Sequence, residues 1–177
     1  MSHFNVCILV NRENDESDHQ LADKAADVMT KFDLNRDVPE YKRRFDADEV
    51  ERISKHYKTT DLQELATKLE DWNGDAGGVD EEGLYALSTQ NPDGHFDYGN
   101  LVDLIPRNRW EHMFLSGIEE KVCRAVVTPD GEWVDGPWLY STSDPESQRK
   151  ADEWERKVQE LFLEHDNAAA FLADLHF

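Results

Sequence analysis

The stretch from residue 3 to residue 10, His-Phe-Asn-Val-Cys-Ile-Leu-Val, decides the fold because its side chains alternate between two apolar sets. Successive residues of a β-strand point to opposite faces of a sheet. One face carries Phe4, Val6, Ile8 and Val10, and the other carries His3, Asn5, Cys7 and Leu9. Since both faces carry apolar residues, we expect a central strand of the sheet.

Four helices are predicted along the rest of the chain. Apolar residues recur at helical spacing over residues 21–32, which indicates the first helix. Capping boxes, in which a side chain at the helix start pairs with one three residues later, mark three more helix starts. These boxes are Asp46 with Glu49, Thr60 with Gln63, and Ser143 with Glu146, the last enclosing Pro145 near the first helical position.

Further strands are predicted at residues 84–89, in a hairpin formed by residues 120–127 and 132–134, and at residues 168–177. Residues 95–117 are aromatic and irregular, and no element is assigned there. The chain shows no internal repeat and no linker. We therefore predict a single α+β domain over residues 1–177, with a mixed β-sheet and helices packed mainly on one face.

Composition excludes several classes of protein. With 38% hydrophobic residues in 177, the chain can bury a core, so disorder is excluded. No apolar run approaches the roughly 18 residues that a membrane span needs, and the start lacks a signal-peptide pattern. We expect a cytoplasmic protein without a membrane segment, in which Cys7 and Cys123 are buried thiols; a single bridge between them is the alternative.

The formal net charge of −20 is the strongest compositional signal. Such a field repels nucleic acid and anionic membranes and favours basic partners. Three interpretations compete: adaptation to salt or solubility, mimicry of nucleic-acid phosphates, and metal coordination by some of the acids. Because the carboxylates are spread along the whole chain, the first interpretation is slightly favoured.

Six short motifs occur in a fixed order along the chain. They are Met-Ser-His-Phe (1–4), Gly-Leu-Tyr (83–85), Asn-Pro (91–92), Phe-Asp-Tyr (96–98), Val-Thr-Pro-Asp-Gly-Glu-Trp (127–133) and Asp-Leu-His (174–176). Together they resemble a family of small bacteriophage and viral proteins that begin Met-Ser-His-Phe and have no settled activity. Relatives often continue the aromatic motif with a glycine pair and Arg-Trp, whereas here Gly99-Asn100 is followed by a longer stretch before Arg109-Trp110. The resemblance implies a viral accessory protein in the cytoplasm of a host cell.

Two groups of residues are candidate metal ligands. Asp71, Asn73, Asp75 and Glu82 have the spacing of positions one, three, five and twelve of a calcium loop, although Ala76 replaces the usual glycine. The alternative is a glycine-rich connector with incidental acids.

In the second group, Asp174 and His176 share a face of the last strand, and His3 lies on the first strand. If these strands are adjacent, the three residues suit a metal site or acid–base chemistry. The alternative there is polar residues at a sheet edge.

Two basic islands interrupt the acidic sequence. Lys42, Arg43 and Arg44 stand between two aromatic residues, and Arg107 and Arg109 precede Trp110. Arginine beside an aromatic ring can bind a phosphate and stack on a base, which suggests a small nucleotide as ligand. The alternative is a pair of exposed turns that form internal salt bridges.

The common catalytic motifs for phosphate loops, dinucleotide binding, zinc hydrolysis and serine nucleophiles are absent from the sequence. We therefore expect a non-enzymatic viral accessory protein that binds and blocks a host factor, a basic protein, through an acidic phosphate-mimicking surface. The alternative is a protein that sequesters a small nucleotide, or a metal-assisted nucleotide hydrolase. Direct nucleic-acid binding is not expected, and a divalent metal is the one cofactor that these alternatives admit.

Overall fold

The computed structural model describes residues 3–73, 76–105, 123–137 and 144–176. The chain divides into two compact units, one made of Met1–Leu34 with Asp93–Phe177 and the other of Asn35–Pro92. Such compact units can lie within one domain, so the single domain over residues 1–177 stays a prediction. The second unit enters and leaves through short turns, so no linker composition marks its boundaries. In the described part of the chain, no helix has the length and apolarity needed to cross a membrane.

The described elements alternate between strands and helices. In chain order they are β1 (His3–Asn11), α1 (Asp18–Thr30), β2 (Tyr41–Arg44), α2 (Ala47–Tyr57), α3 (Leu62–Asn73), β3 (Gly77–Asp80), β4 (Gly83–Ser88), β5 (Tyr98–Ile105), β6 (Ala125–Val127), β7 (Trp133–Asp135), α4 (Pro145–Glu164) and β8 (Ala168–His176). Helices and strands are thus both abundant, and the α+β class is confirmed.

The first unit contains a five-stranded mixed sheet in the order β5-β8-β1-β6-β7. β1 pairs in parallel with β6 and antiparallel with β8, so it is the central strand that the alternating sequence predicts. β5 extends the sheet beyond β8, with a register shift between Leu101 and Asp103. The hairpin of β6 and β7 is shorter than expected within the described residues.

The two helices of the first unit lie on opposite faces of this sheet, not mainly on one face as expected. α1 covers the face formed by alternate residues of the central strands, including Val6, Ile8 and Phe171. α4 covers the other face, where Cys7 and Leu9 are fully buried. The physical reason for this arrangement is that β1 carries apolar side chains on both faces. A helix on each face removes these side chains from water.

The second unit packs α2 and α3 with a three-stranded antiparallel sheet in the order β2-β4-β3. Its core consists of Leu65, Ala66, Leu69 and Leu84, with partly buried residues of α2 around them. β4 corresponds to the strand predicted at residues 84–89. β2 and β3 were not predicted, because one is rich in cations and the other in glycine.

Carboxylates cap three of the helices. The predicted box at residues 46–49 is confirmed by both of its hydrogen bonds. α3 is capped by Asp61 and not by Thr60, since the Asp61 carboxylate accepts from the backbone amides of residues 63 and 64 at 2.9 and 3.3 Å. α4 is capped by Asp144, which accepts from the Ser147 amide at 2.9 Å, and the predicted cap Ser143 lies outside the described residues. An ionised oxygen at the helix start satisfies free amides and favours the helix dipole.

Candidate functional site

The two terminal strands of the chain are adjacent, and this brings together the predicted terminal residues. β1 and β8 pair antiparallel with His3 directly opposite His176. Their ring centroids lie 5.5 Å apart at an interplanar angle of 69°. Asp174 lies on the same face two residues earlier in β8, and its Oδ1 is 3.3 Å from Nδ1 of His3. Two imidazoles and a carboxylate therefore meet at one end of the sheet.

A second carboxylate, Asp97, completes this arrangement. Its Oδ1 lies 2.6 Å from Nδ1 of His176, and its backbone amide donates to the His176 carbonyl oxygen at 3.0 Å. Asp97 immediately precedes β5, which pairs with β8. Sequence reasoning missed Asp97 because no strand was assigned there; the Phe-Asp-Tyr motif at residues 96–98 was the available signal. We name His3, His176, Asp97 and Asp174 the two-histidine cluster.

The carboxylates favour one tautomer of both rings. An ionised carboxylate can only accept a hydrogen bond, so Nδ1 of each histidine carries the proton that is donated. In the neutral imidazole, Nε2 then holds a lone pair. Nε2 of His176 is buried and has no hydrogen-bond partner among the described residues. The His3 side chain is 62% exposed and the His176 side chain only 14%.

Polar side chains surround the two-histidine cluster on the same face of the sheet. Tyr98 lies opposite His176 and is 61% exposed, and its hydroxyl accepts from Asn100 at 3.2 Å. Asn5 and Asn100 both lie opposite Asp174, from the two neighbouring strands. Further along this face, Cys7 is buried in the cluster that α4 covers. The same sheet face is thus apolar beneath α4 and polar at the two-histidine cluster.

The predicted calcium loop is interrupted by secondary structure. α3 extends to Asn73, and residues 77–80 form β3. Glu82 follows β3 and lies 2.8 Å from the Arg44 guanidinium, in an ion pair. Asp75 lies outside the described residues, as do the side chains of Asp71 and Asn73. Among the residues with described side chains, no group of three or more His, Cys, Asp or Glu is arranged to hold a metal ion.

The basic island at residues 42–44 is the strand β2, and each of its cations pairs with a carboxylate of the same unit. Lys42 lies 2.7 Å from Asp80, and Arg43 lies 2.6 Å from Glu49. Arg44 binds the Asp80 carboxylate through both terminal nitrogens. Internal salt bridges, the alternative to a nucleotide site, are therefore what the structure shows for this island.

The Asp80 carboxylate is the centre of these pairs. Hydrogen bonds from Arg44 and Lys42 hold its pKa far below the usual range, and the same contact with Asp80 raises the pKa of Arg44. Lys42 also lies 4.3 Å from the Tyr85 ring centroid. Since these groups bind each other, the island has little free positive charge for a phosphate. The second island, Arg107, Arg109 and Trp110, lies outside the described residues.

Both cysteines are buried free thiols, as the sequence predicts, and no bridge joins them. The neighbouring thiol of Cys123, together with burial, raises the pKa of Cys7 well above its ordinary value. Because the thiolate is the reactive form, Cys7 is protonated and unreactive at neutral pH.

A cavity of about 210 Å³ lies on the opposite face of the sheet from the two-histidine cluster. It is lined mainly by apolar residues of α1, β5 and β8, among them Met29, Leu101 and Leu175. Asp33 is the only ionisable side chain in this lining. The cavity and the two-histidine cluster are therefore separate features.

One group of exposed carboxylates lies on α1 and the loop before it. Residues 12–27 contain six carboxylates (Glu13, Asp15, Glu16, Asp18, Asp23 and Asp27) and two cations, Arg12 and Lys24. Lys24 lies 2.5 Å from Glu16, and this contact lowers the pKa of Glu16. We name the five exposed acids of this segment the α1 acidic surface: Glu13, Asp15, Asp18, Asp23 and Asp27.

The outer side of α4 has a different charge pattern. It contains six carboxylates (residues 146, 152, 153, 155, 160 and 164) but four cations (residues 149, 150, 156 and 157). Pairs one turn apart neutralise it in part, with Arg149 lying 2.7 Å from Glu153 and Lys150 lying 2.8 Å from Glu146. The excess of negative charge is thus greater at the α1 acidic surface.

No family model, curated protein or solved structure matches the chain.

Proposed function

We propose that this chain is a binding protein that blocks a basic partner protein by presenting carboxylates to the partner's phosphate-binding surface. The observation that supports this function is the α1 acidic surface, where five exposed carboxylates outnumber the two cations of the segment. Arg12 lies 3.8 Å from Asp18, and Lys24 lies between Glu16 at 2.5 Å and Glu13 at 4.0 Å. Its two central residues, Asp23 and Asp27, lie one helical turn apart on the exposed side of α1.

The charge of the whole chain strengthens this surface. A net charge of −20 attracts basic proteins over distances comparable to the Debye length, about 8 Å at physiological ionic strength. Many described cations elsewhere, such as Lys42, Arg43 and Arg44, are held in internal pairs. They therefore offset the negative field but offer few free sites for an anionic partner.

The resemblance to bacteriophage and viral proteins supports a host protein as the partner. A viral accessory protein acts in the host cytoplasm, where nucleases and other defence proteins bind nucleic-acid phosphates through basic surfaces. Carboxylates spaced like nucleic-acid phosphates compete with the nucleic acid for such surfaces. The proposed class of partner is therefore a basic DNA- or RNA-binding protein of the host.

A displacement experiment tests this function. Fluorescent duplex DNA is bound to each of a panel of basic bacterial nucleases, and its release by the protein is measured at about 50 and 300 mM salt. For a true target we expect competitive release that weakens steeply with salt. Replacing both Asp23 and Asp27 by Asn should weaken release roughly tenfold at low salt, because electrostatic steering and contact charges are lost together.

The matched control is Glu160→Gln with Glu164→Gln, which removes the same number of charges from the exposed side of α4. Equal weakening by the control would show that only net charge matters and would contradict a specific surface. Absence of release, or release that does not respond to salt, would also contradict the function.

The small-nucleotide alternative retains less support. The island at β2 is occupied by its own carboxylates, as described above. The two-histidine cluster is the one described feature that favours ligand chemistry. A small-nucleotide site would be indicated if a nucleotide raised the melting temperature of the wild type but not of the His3→Ala variant.

A further inference from the structure

We propose that His3 and His176 bind a divalent transition-metal ion through their Nε2 atoms. This site lies in the first unit on β1 and β8 and is independent of the α1 acidic surface, so it goes beyond the function proposed above. Four observations carry it: the spacing of the rings, the carboxylate at each Nδ1, the orphaned Nε2 of His176, and the local charge.

The spacing of the two rings fits one shared metal ion. Zinc binds imidazole nitrogen at about 2.0–2.1 Å in tetrahedral geometry, which places two ligating rings with centroids about 5–6 Å apart. The centroids of His3 and His176 are 5.5 Å apart. The strand register brings the two rings together, because the two residues are directly opposite in adjacent antiparallel strands.

Each ring also has the outer partner that metal-binding histidines usually have. Asp174 accepts from Nδ1 of His3, and Asp97 accepts from Nδ1 of His176. A carboxylate in this position fixes the tautomer, orients the ring and makes the free nitrogen a better ligand. Both lone pairs are thus on the Nε2 atoms. The carboxylates serve as orienting groups, and the two histidines are the ligands.

The buried Nε2 of His176 has no hydrogen-bond partner among the described residues. A buried polar atom without a partner destabilises the fold, and such an atom needs an explanation. A bound ion supplies the missing partner. The His3 side chain is 62% exposed, so the site opens to solvent on the His3 side.

The negative charge around the two-histidine cluster favours a cation over an anion at this position. Two carboxylates lie within the cluster, and the chain carries −20 overall, so a phosphate would be repelled. Imidazole nitrogen favours zinc, nickel and copper, whereas calcium and magnesium prefer oxygen ligands. Since the protein supplies two ligands and water supplies the others, we expect weak binding, in the range of about 1–100 μM.

The test is a calorimetric titration of the untagged, full-length protein with zinc chloride. We expect one zinc ion per chain and a raised melting temperature, with no response to calcium chloride. His3→Ala and His176→Gln should each weaken zinc binding at least tenfold. Asp97→Asn should weaken it roughly tenfold, because orienting carboxylates typically contribute 10–100-fold.

The matched control is His19→Ala, which removes another exposed histidine that lies 3.6 Å from a carboxylate, Asp23 on α1. It should bind zinc as the wild type does. No zinc binding by the wild type at 1 mM (about ten times the weakest affinity expected) would overturn the site. So would unchanged binding in the His176→Gln variant, because His176 would then not be a ligand of the ion. These results leave the α1 acidic surface untouched, and its own test stays separate.

Discussion

Trp154 connects α4 by a side-chain hydrogen bond to the segment just before β6. It is 6% exposed, and its Nε1 donates to the Cys123 carbonyl oxygen at 2.8 Å. A Cβ at Gly136 would lie 2.4 Å from the Trp154 ring, so glycine leaves the room for this contact. Trp154→Phe should lower the free energy of unfolding by about 1–3 kcal/mol, because the Cys123 carbonyl loses its partner in a buried place. Urea unfolding measures this loss.

The control for Trp154 lies on the same helix. Leu163 is 76% exposed, and Leu163→Ala should change the free energy of unfolding by no more than about 0.5 kcal/mol. Similar losses in the two variants would mean that the loss in Trp154→Phe is not specific to the buried hydrogen bond.

Individual residues of the two-histidine cluster differ in how well the sequence predicts them. Strand alternation predicts the faces of His3, Asp174 and His176, because every second residue of a strand lies on the same face. Strand alternation does not predict Asp97, because its contact with His176 depends on β5 joining the sheet beside β8. Likewise, the role of Asp80 depends on a hairpin that brings it to the cations of β2. Contacts between distant segments leave no local pattern in the chain.

At the scale of elements, the start of α3 gives a direct comparison between the sequence and the structure. The sequence favours Thr60 as the cap, whereas the Asp61 carboxylate accepts two backbone amides. Asp61→Ala should lower the free energy of unfolding by about 1 kcal/mol, the typical loss of a helix cap. Thr60→Ala should lower it by less than about 0.5 kcal/mol. Chemical denaturation of both variants checks this, and a larger loss for Thr60→Ala would contradict the structural cap.

Long periodic elements are predicted well and short ones poorly, for physical reasons. β1, β8, α1 and α4 each repeat their apolar pattern several times, so local periodicity suffices. β2 is a four-residue strand of mostly cationic side chains, stabilised by ion pairs with other elements. β3 begins with two glycines, which predict a loop by local preference. Strands of this kind form because a partner strand is present, and their own residues carry no local pattern that predicts a strand.

At the scale of the whole molecule, the balance of charge links stability and proposed function. Carboxylates outnumber cations by 39 to 19, so the folded chain repels itself at low ionic strength. Raising salt from about 50 to 500 mM shortens the Debye length from about 14 to about 4 Å and screens this repulsion. We therefore expect the melting temperature to rise by roughly 2–5 °C over this range, measured by calorimetry with sodium chloride.

The same experiment on the variant with Asp23→Asn and Asp27→Asn separates two roles of the α1 acidic surface. Asp23 and Asp27 lie one turn apart on α1, so their charges repel each other in the free protein. If the two acids serve binding and not the fold, this repulsion lowers the stability of the free protein. Their removal should then raise the melting temperature at 50 mM salt by roughly 1–3 °C, and the difference should vanish at 500 mM. A lower melting temperature for the variant at both salt concentrations would mean that the acids stabilise the fold. In that case the surface would serve the structure, and its exposed charge would no longer support a binding role.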